Sequence, residues 1–323
     1  MKRLTWIALG LTLAASLPVQ AQDYPSRVVT MIVPFSAGGP ADALARVLAQ
    51  SMTSNLKQQV IVENVTGAGG TLGAARVAKA DPDGYTLLFH HIGMATSPSL
   101  YRKLPYDTET AFAPIGLATD VPMVLVGKHD FPVNSFGELV TYVKEKQSEV
   151  LYAHAGIGSS SHLCGLLFMR ALEAQMTTVP YKGTGPAMTD LLGGQVDLLC
   201  DHVSTAAPQI QAGKIKPYVV TTLERVPSLP GVPTADEAGL KGFQLSVWYG
   251  LYAPKGTDEA VVDKLVGVLQ QSLQDPQVTQ RFADLGTAPV AAERATPKAL
   301  QDHLKAELAR WRPIIEAAGV YAE

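Results

Sequence analysis

The sequence predicts an α/β protein of two doubly wound lobes around a cleft. A unit of strand, small-residue loop and helix recurs three times along the chain. Two apolar extended runs, at 121–126 and 243–253, read as crossings between lobes, and about three hundred residues beyond a leader suffice for two cores.

The leader comes first. Met1, Lys2 and Arg3 form a short positive region, 4–17 is apolar, and Val19 and Ala21 place small residues at both recognition positions of a signal-peptidase site. Residues 1–21 are therefore expected to be a signal peptide cleaved after Ala21, with a periplasmic mature chain. No later stretch approaches the roughly 20 apolar residues of a membrane span. With 47% hydrophobic residues, 17% charged residues and a net charge of -3, the chain offers no basic face for a nucleic acid.

The first unit runs from the β-branched strand 28–33 through Pro34, Phe35, Ser36, Ala37, Gly38, Gly39 and Pro40 to the Ala/Leu-rich helix after Asp42. At the carboxyl end of a strand and the amino end of a helix, unpaired amides and the helix dipole suit an anion. The same pattern also describes an ordinary tight βα turn. A second unit follows: strand 59–64, then Gly67, Ala68, Gly69 and Gly70, then a helix over 74–78. Its glycines do not fall at the first, third and sixth places of a dinucleotide fingerprint, so the loop reads as a second wall of a small-anion site and no cofactor is expected.

Strand 86–91 ends in His90 and His91, and alternation allows at most one of them to face a cleft. The remaining histidines show no metal-ligand spacing, so no metal is expected. Residues 112–119 lead into the apolar run 121–126, where Pro122 removes a ladder donor, as suits a crossing. Helix 136–146, strand 150–155, the serine loop with Ser159, Ser160 and Ser161, and a helix over 163–174 form the third unit. The serines can cap that helix and donate hydroxyls, but none has glycine two places away on both sides, as a nucleophile elbow requires. The stretch 178–187, which joins a strand to helix 188–192, and then strand 196–201, helix 205–211 and strand 216–222 complete the second lobe. A short helix at 234–238, the aromatic crossing with Trp248, and helices at 258–273, 277–285 and 297–318 finish the chain. The last carries Leu300, Leu304, Leu308, Trp311 and Ile315 on one core-facing stripe. Lobe 1 is expected to comprise 22–122 plus 248–323, and lobe 2 residues 123–247. Cys164 and Cys200 are the two cysteines; an exported chain allows one disulfide between them, and two buried thiols fit as well.

Taken in order, the stretches Ile32-Val33-Pro34-Phe35 through Asp42, Gly67-Ala68-Gly69-Gly70, Asp83-Gly84-Tyr85, Leu104-Pro105-Tyr106-Asp107, Gly158-Ser159-Ser160-Ser161-His162-Leu163, Val179-Pro180-Tyr181-Lys182-Gly183 and Asp190-Leu191-Leu192-Gly193-Gly194-Gln195 span the mature chain. They resemble the extracytoplasmic solute receptors of tripartite tricarboxylate transporters, the Bug receptors. The resemblance implies a type II periplasmic-binding-protein-like fold and a non-enzymatic receptor. The ligand carboxylate is expected between Phe35, Ser36, Ala37, Gly38, Gly39 and Asp42 on one side and Gly67, Ala68, Gly69 and Gly70 on the other. The far end of the ligand is expected near Ser159, Ser160, His162, Tyr181, Gly183 and Asp201, with His91 and Trp248 helping to choose among ligands. Val65-Thr66 stands where the family commonly has Arg-Pro, and the histidine pair where it often has small polar residues; a histidine there is suited to bond a second carboxylate or to stack on a ring, which favours a rigid or aromatic carboxylate over an aliphatic one. The implied partners are membrane permease subunits served by a monomer. A sensor kinase reading the same closed form, and a periplasmic hydrolase, are the competing classes.

Overall fold

The computed structural model describes residues 24–322; the expected signal peptide and its cleavage site lie outside the described residues. Within them no helix is long and apolar enough to cross a membrane.

The first lobe opens with β1 (Val29–Val33), α1 (Pro40–Leu56), β2 (Val60–Asn64), α2 (Thr71–Ala78), β3 (Thr86–His91) and α3 (Gly93–Leu100). β1 lies between β2 and β3 and is parallel to both, so the ends of the first two strands and the loops after them share one sheet edge. The long β4 (Phe112–Lys128) follows, then α4 (Phe136–Lys146), β5 (Leu151–His154), α5 (Ser160–Leu172), β6 (Thr177–Pro180), α6 (Thr184–Leu192), β7 (Leu198–His202), α7 (Val203–Gln211) and β8 (Ile215–Val220). β9 (Ser246–Pro254) returns to the first lobe, where α8 (Glu259–Leu273), α9 (Pro276–Asp284) and α10 (Pro297–Ala318) pack.

The strands run in the order β2-β1-β3-β9-β4-β7-β5-β6, with β8 also on β4. β4 is one unbroken strand, not the two runs that the sequence suggests. From Phe112 to Pro122 it pairs with β9, and from Met123 it pairs with β7 and, a residue later, with β8. Pro122 thus falls where the ladder changes partners, the position at which its missing N–H costs least.

Local chemistry accounts for most boundaries and for the departures. Ser135 caps α4, accepting from the Glu138 amide at 3.3 Å while the Glu138 carboxylate accepts from the Ser135 amide at 3.2 Å. Ser135→Ala is expected to lower stability by about 1 kcal/mol, read from urea unfolding. α5 and α6 begin earlier than the apolar pattern indicates, because Ser159 caps α5 through the His162 amide and α6 starts directly after Gly183. Residues 234–238 form turns instead of the expected helix. Thr234 and Glu237 make a reciprocal cap, but Gly239 at a φ of 96° ends the segment after one turn. The five expected core residues of α10 are all buried. Cys164 and Cys200 are joined in a disulfide, Cα atoms 6.2 Å apart, tying α5 to β7.

Candidate functional site

The helices α1, α5, α6 and α7 all direct their amino ends at one pocket between the lobes. It holds about 350 Å³ of space not filled by atoms, its open mouth included, and is walled by Phe35, Ser36, Gly39, Pro40 and Ala41 from the first lobe and by Ala155, Ser159, Ser160, Gly183, Thr184 and His202 from the second. His91 at the end of β3 and Tyr249 on β9 complete the lining, which contains no Lys or Arg.

In the β1–α1 loop two amides are already engaged. Gly38 N–H donates to Asp42 Oδ2 at 2.9 Å and Gly39 N–H to the Ser36 carbonyl at 3.3 Å. The first-turn amides of Ala41 and Asp42 have no acceptor within the helix by the geometry of a helix start, and there the positive end of a 17-residue helix favours an anion. The Asp42 carboxylate braces this loop. It also accepts from Arg46 Nε and Asn64 Nδ2, both at 2.9 Å. Burial pushes its carboxyl up, but the bonds from Arg46, Gly38 and Asn64 outweigh this and hold it below the usual range.

Opposite, Ser159 Oγ is committed to the His162 amide, while Ser160 Oγ lies 3.0 Å from His202 Nε2. Two histidine rings, His91 and His202, lie at the base, and the His90 ring is 5.0 Å from that of His91. His91 stacks on Phe35, ring centres 4.4 Å apart, and meets Tyr249 edge-on at 5.6 Å; His202 meets the same tyrosine at 6.1 Å. Burial drives the rings of His90 and His202 down to about 3 and that of His91 well below its ordinary value, so all are neutral at pH 7.

Of the residues expected at the site, Phe35, Ser36, Gly39, His91, Ser159, Ser160 and Gly183 line this pocket. Gly67, Ala68, Gly69, Gly70 and Tyr181 line an adjoining space at its mouth together with Phe35, Tyr101, Ile157 and Lys182. Ala37 and Gly38 are exposed. His162 faces a separate groove beside His154 and Arg170. Asp201 and Trp248 are buried off the pocket, each one residue from a lining side chain, His202 and Tyr249 respectively. Successive strand side chains point to opposite faces, so the sequence reading has the right strands and the wrong parity. Thr184 also lines the pocket, because α6 begins there, four residues before the apolar pattern indicates. Among the described residues no group of three His, Cys, Asp or Glu is placed to hold a metal ion.

A family model described as the tripartite tricarboxylate transporter family receptor matches residues 44–320. A protein of Agrobacterium vitis named for the TAR-I ttuE-ttuC' intergenic region is 52% identical over 317 residues, covering 97% of this chain and 91% of that relative. Among solved structures, the periplasmic binding protein BugD superposes with a TM-score of 0.89 at 50% identity, covering 93% of this chain and all (100%) of that one. MatC from Rhodopseudomonas palustris, solved with bound malate, superposes with a TM-score of 0.87 at 42% identity, covering 90% of this chain and 100% of that one.

Proposed function

The chain belongs to the tripartite tricarboxylate transporter receptor family of periplasmic solute-binding proteins, and on that premise we propose that it captures a small carboxylate in the interlobe pocket and delivers it to the membrane permease subunits of such a transporter. The observation that carries this reading is the convergence of four helix amino termini on a pocket without a cationic side chain. Backbone amides and hydroxyls there hold negative charge without a salt bridge. Malate in MatC is a carboxylate ligand in a relative of the same fold.

We infer a division of the described residues into 24–122 with 248–322 against 123–247, with β4 and β9 as the hinge. The ligand's first carboxylate sits at the α1 end, with the Ser36 hydroxyl and the first-turn amides of Ala41 and Asp42 as donors, and Phe35 separates it from the 67–70 loop at the mouth. The protein works as a monomer and as a receptor, not a catalyst. Ser160 and His202 have the spacing of a nucleophile and its base, but no carboxylate orients His202 Nδ1: both Asp201 oxygens serve other donors, the His202 amide and the Thr205 hydroxyl. Signalling to a sensor kinase would use the same closed form.

A thermal-shift screen against organic acids tests the reading. At one hundred times Kd a ligand adds about 2.7 kcal/mol, a rise of roughly 5 °C in a protein of this size. Stabilisation by sugars or cations alone, with every carboxylate inert, contradicts it.

A further inference from the structure

We propose that the groove along α5 is a binding site separate from the interlobe pocket, and that it takes an amphipathic organic anion: the carboxylate head on the paired rings of His154 and His162, the apolar chain over Leu166, Met169 and Met176.

The groove holds about 1320 Å³ of space not filled by atoms, its open side included, and shares no lining residue with the interlobe pocket. His162, Leu166, Met169 and Arg170 recur along α5 at the spacing of one helix face, and about 12 Å of helix separates the first from the last. Met176, whose amide donates to Met169 Sδ at 3.3 Å, extends that wall. Ala317, Ala318 and Val320, at the end of α10 and just beyond it, form the other side with short side chains.

The head site is built from the two histidines. They are almost wholly buried, with 2% and 5% of their surface exposed, and their ring centres are 4.8 Å apart. His154 Nδ1 accepts the Gly156 amide at 3.2 Å, and His162 Nδ1 accepts the Gly158 amide at 3.3 Å. Burial holds both rings below their ordinary value, His162 down to about 3, so both are neutral at pH 7. A neutral imidazole that accepts at Nδ1 carries its hydrogen on Nε2. Neither Nε2 has a hydrogen-bond partner among the described residues, and both rings line the groove. Polar groups buried this deeply are ordinarily paired. Two unpaired N–H donors side by side suit the two oxygens of one carboxylate.

The rest of the lining sets the sign and the shape of the ligand. Arg170 is its one charged side chain and no acidic residue lines it, so the groove favours an anion over a cation. A metal ion needs imidazole lone pairs, and here the nitrogens that face the groove carry hydrogen. Between the histidines and Arg170 the wall is apolar, and its two methionines adapt to an irregular chain. A small polar anion leaves that wall in water, whereas an alkyl chain behind the carboxylate covers it. The proposal is independent of what the interlobe pocket holds.

Methionine methyl resonances report on the groove directly, because Met169 and Met176 line it while Met31, Met94 and Met123 are buried elsewhere. Octanoate added to the intact mature protein, isotope-labelled at its methionine methyl groups, is expected to shift the Met169 and Met176 signals saturably and to leave the others nearly still. Met169→Leu and Met176→Leu assign the two signals. Butyrate, with half the chain, is expected to bind about tenfold more weakly. Octylammonium, the same chain with the opposite charge, is expected to leave both signals in place. His154→Asn combined with His162→Asn keeps an acceptor for each glycine amide and removes both Nε2–H donors, so octanoate should bind it at least about tenfold more weakly. Arg170→Ala should cost about threefold, less as salt is raised. If the double variant does not fold, the comparison of octanoate with octylammonium on the wild type decides alone. Unmoved Met169 and Met176 signals at millimolar octanoate, equal shifts with octylammonium, or undiminished binding to the folded double variant overturns the proposal. Each of these results leaves the carboxylate-receptor reading of the interlobe pocket untouched.

Discussion

Replacing Gly69 with valine is expected to weaken ligand binding by roughly a hundredfold while leaving the protein folded. Gly69 sits at a φ of 62°, and a Cβ there would overlap the carbonyl oxygen of Ile157 and lie 2.6 Å from the Tyr101 hydroxyl. Tyr101 follows α3 in the first lobe and Ile157 precedes α5 in the second; the tyrosine hydroxyl donates to the Ile157 carbonyl at 3.1 Å, a bond across the mouth of the cleft. The added side chain therefore opposes the approach of the two lobes. Overpacking of this kind costs up to about 3 kcal/mol, equivalent to two decades in Kd. The left-handed backbone adds about 1 to 2 kcal/mol of local strain, which a modest fall in Tm registers separately. Gly39 behaves differently. Its φ is -81° and its added Cβ would lie 3.3 Å from the Ser36 carbonyl oxygen, so the same substitution there is milder. Titration of both variants separates lobe contact from ligand approach, two effects that the glycine loops do not distinguish in the sequence.

Removing the Cys164–Cys200 disulfide is expected to lower stability by about 4 kcal/mol. The bond closes a loop with a sequence separation of 36, and the chain-entropy relation assigns a loop of that length about 4 kcal/mol. Both cysteines are fully buried between α5 and β7. The pair thus fixes the serine-rich start of α5 against the strand that carries Asp201 and His202. Cys164→Ala with Cys200→Ala, or reduction of the wild type, should lower Tm by roughly 6 to 10 °C. A change below 2 °C would show that the surrounding core holds this geometry unaided.

The fold was legible where one local rule governs a whole element. Ser135 and the turn around Gln147 bound α4, the heptad-like stripe from Leu300 to Ile315 marks α10, and the β-branched runs mark β1 and β2. Legibility fell where two rules compete. At α5 and α6 the first turns are serine, threonine and glycine residues that read as loop until a cap and packing place them in a helix. At β7 and β9 the strands are buried on both faces, so apolar alternation carries no parity and Asp201 cannot be told from His202, nor Trp248 from Tyr249. The disulfide needed coordinates, because sequence separation says nothing about Cα distance. About half of the residues that line the candidate site fall in these ambiguous places, since a binding pocket is made of chain ends and loops.

The central claim is that a carboxylate occupies the pocket between the lobes at the amino end of α1. A crystal structure of the protein with the most stabilising organic acid tests it most directly. The account predicts carboxylate oxygens within hydrogen-bond reach of the Ser36 hydroxyl or the first-turn amides of α1, with Gly39, Phe35 and His91 alongside. Ligand density elsewhere, as in the groove between α1 and α9 lined by Gln50, Ser54 and Arg281, with the interlobe pocket holding only water, would contradict it.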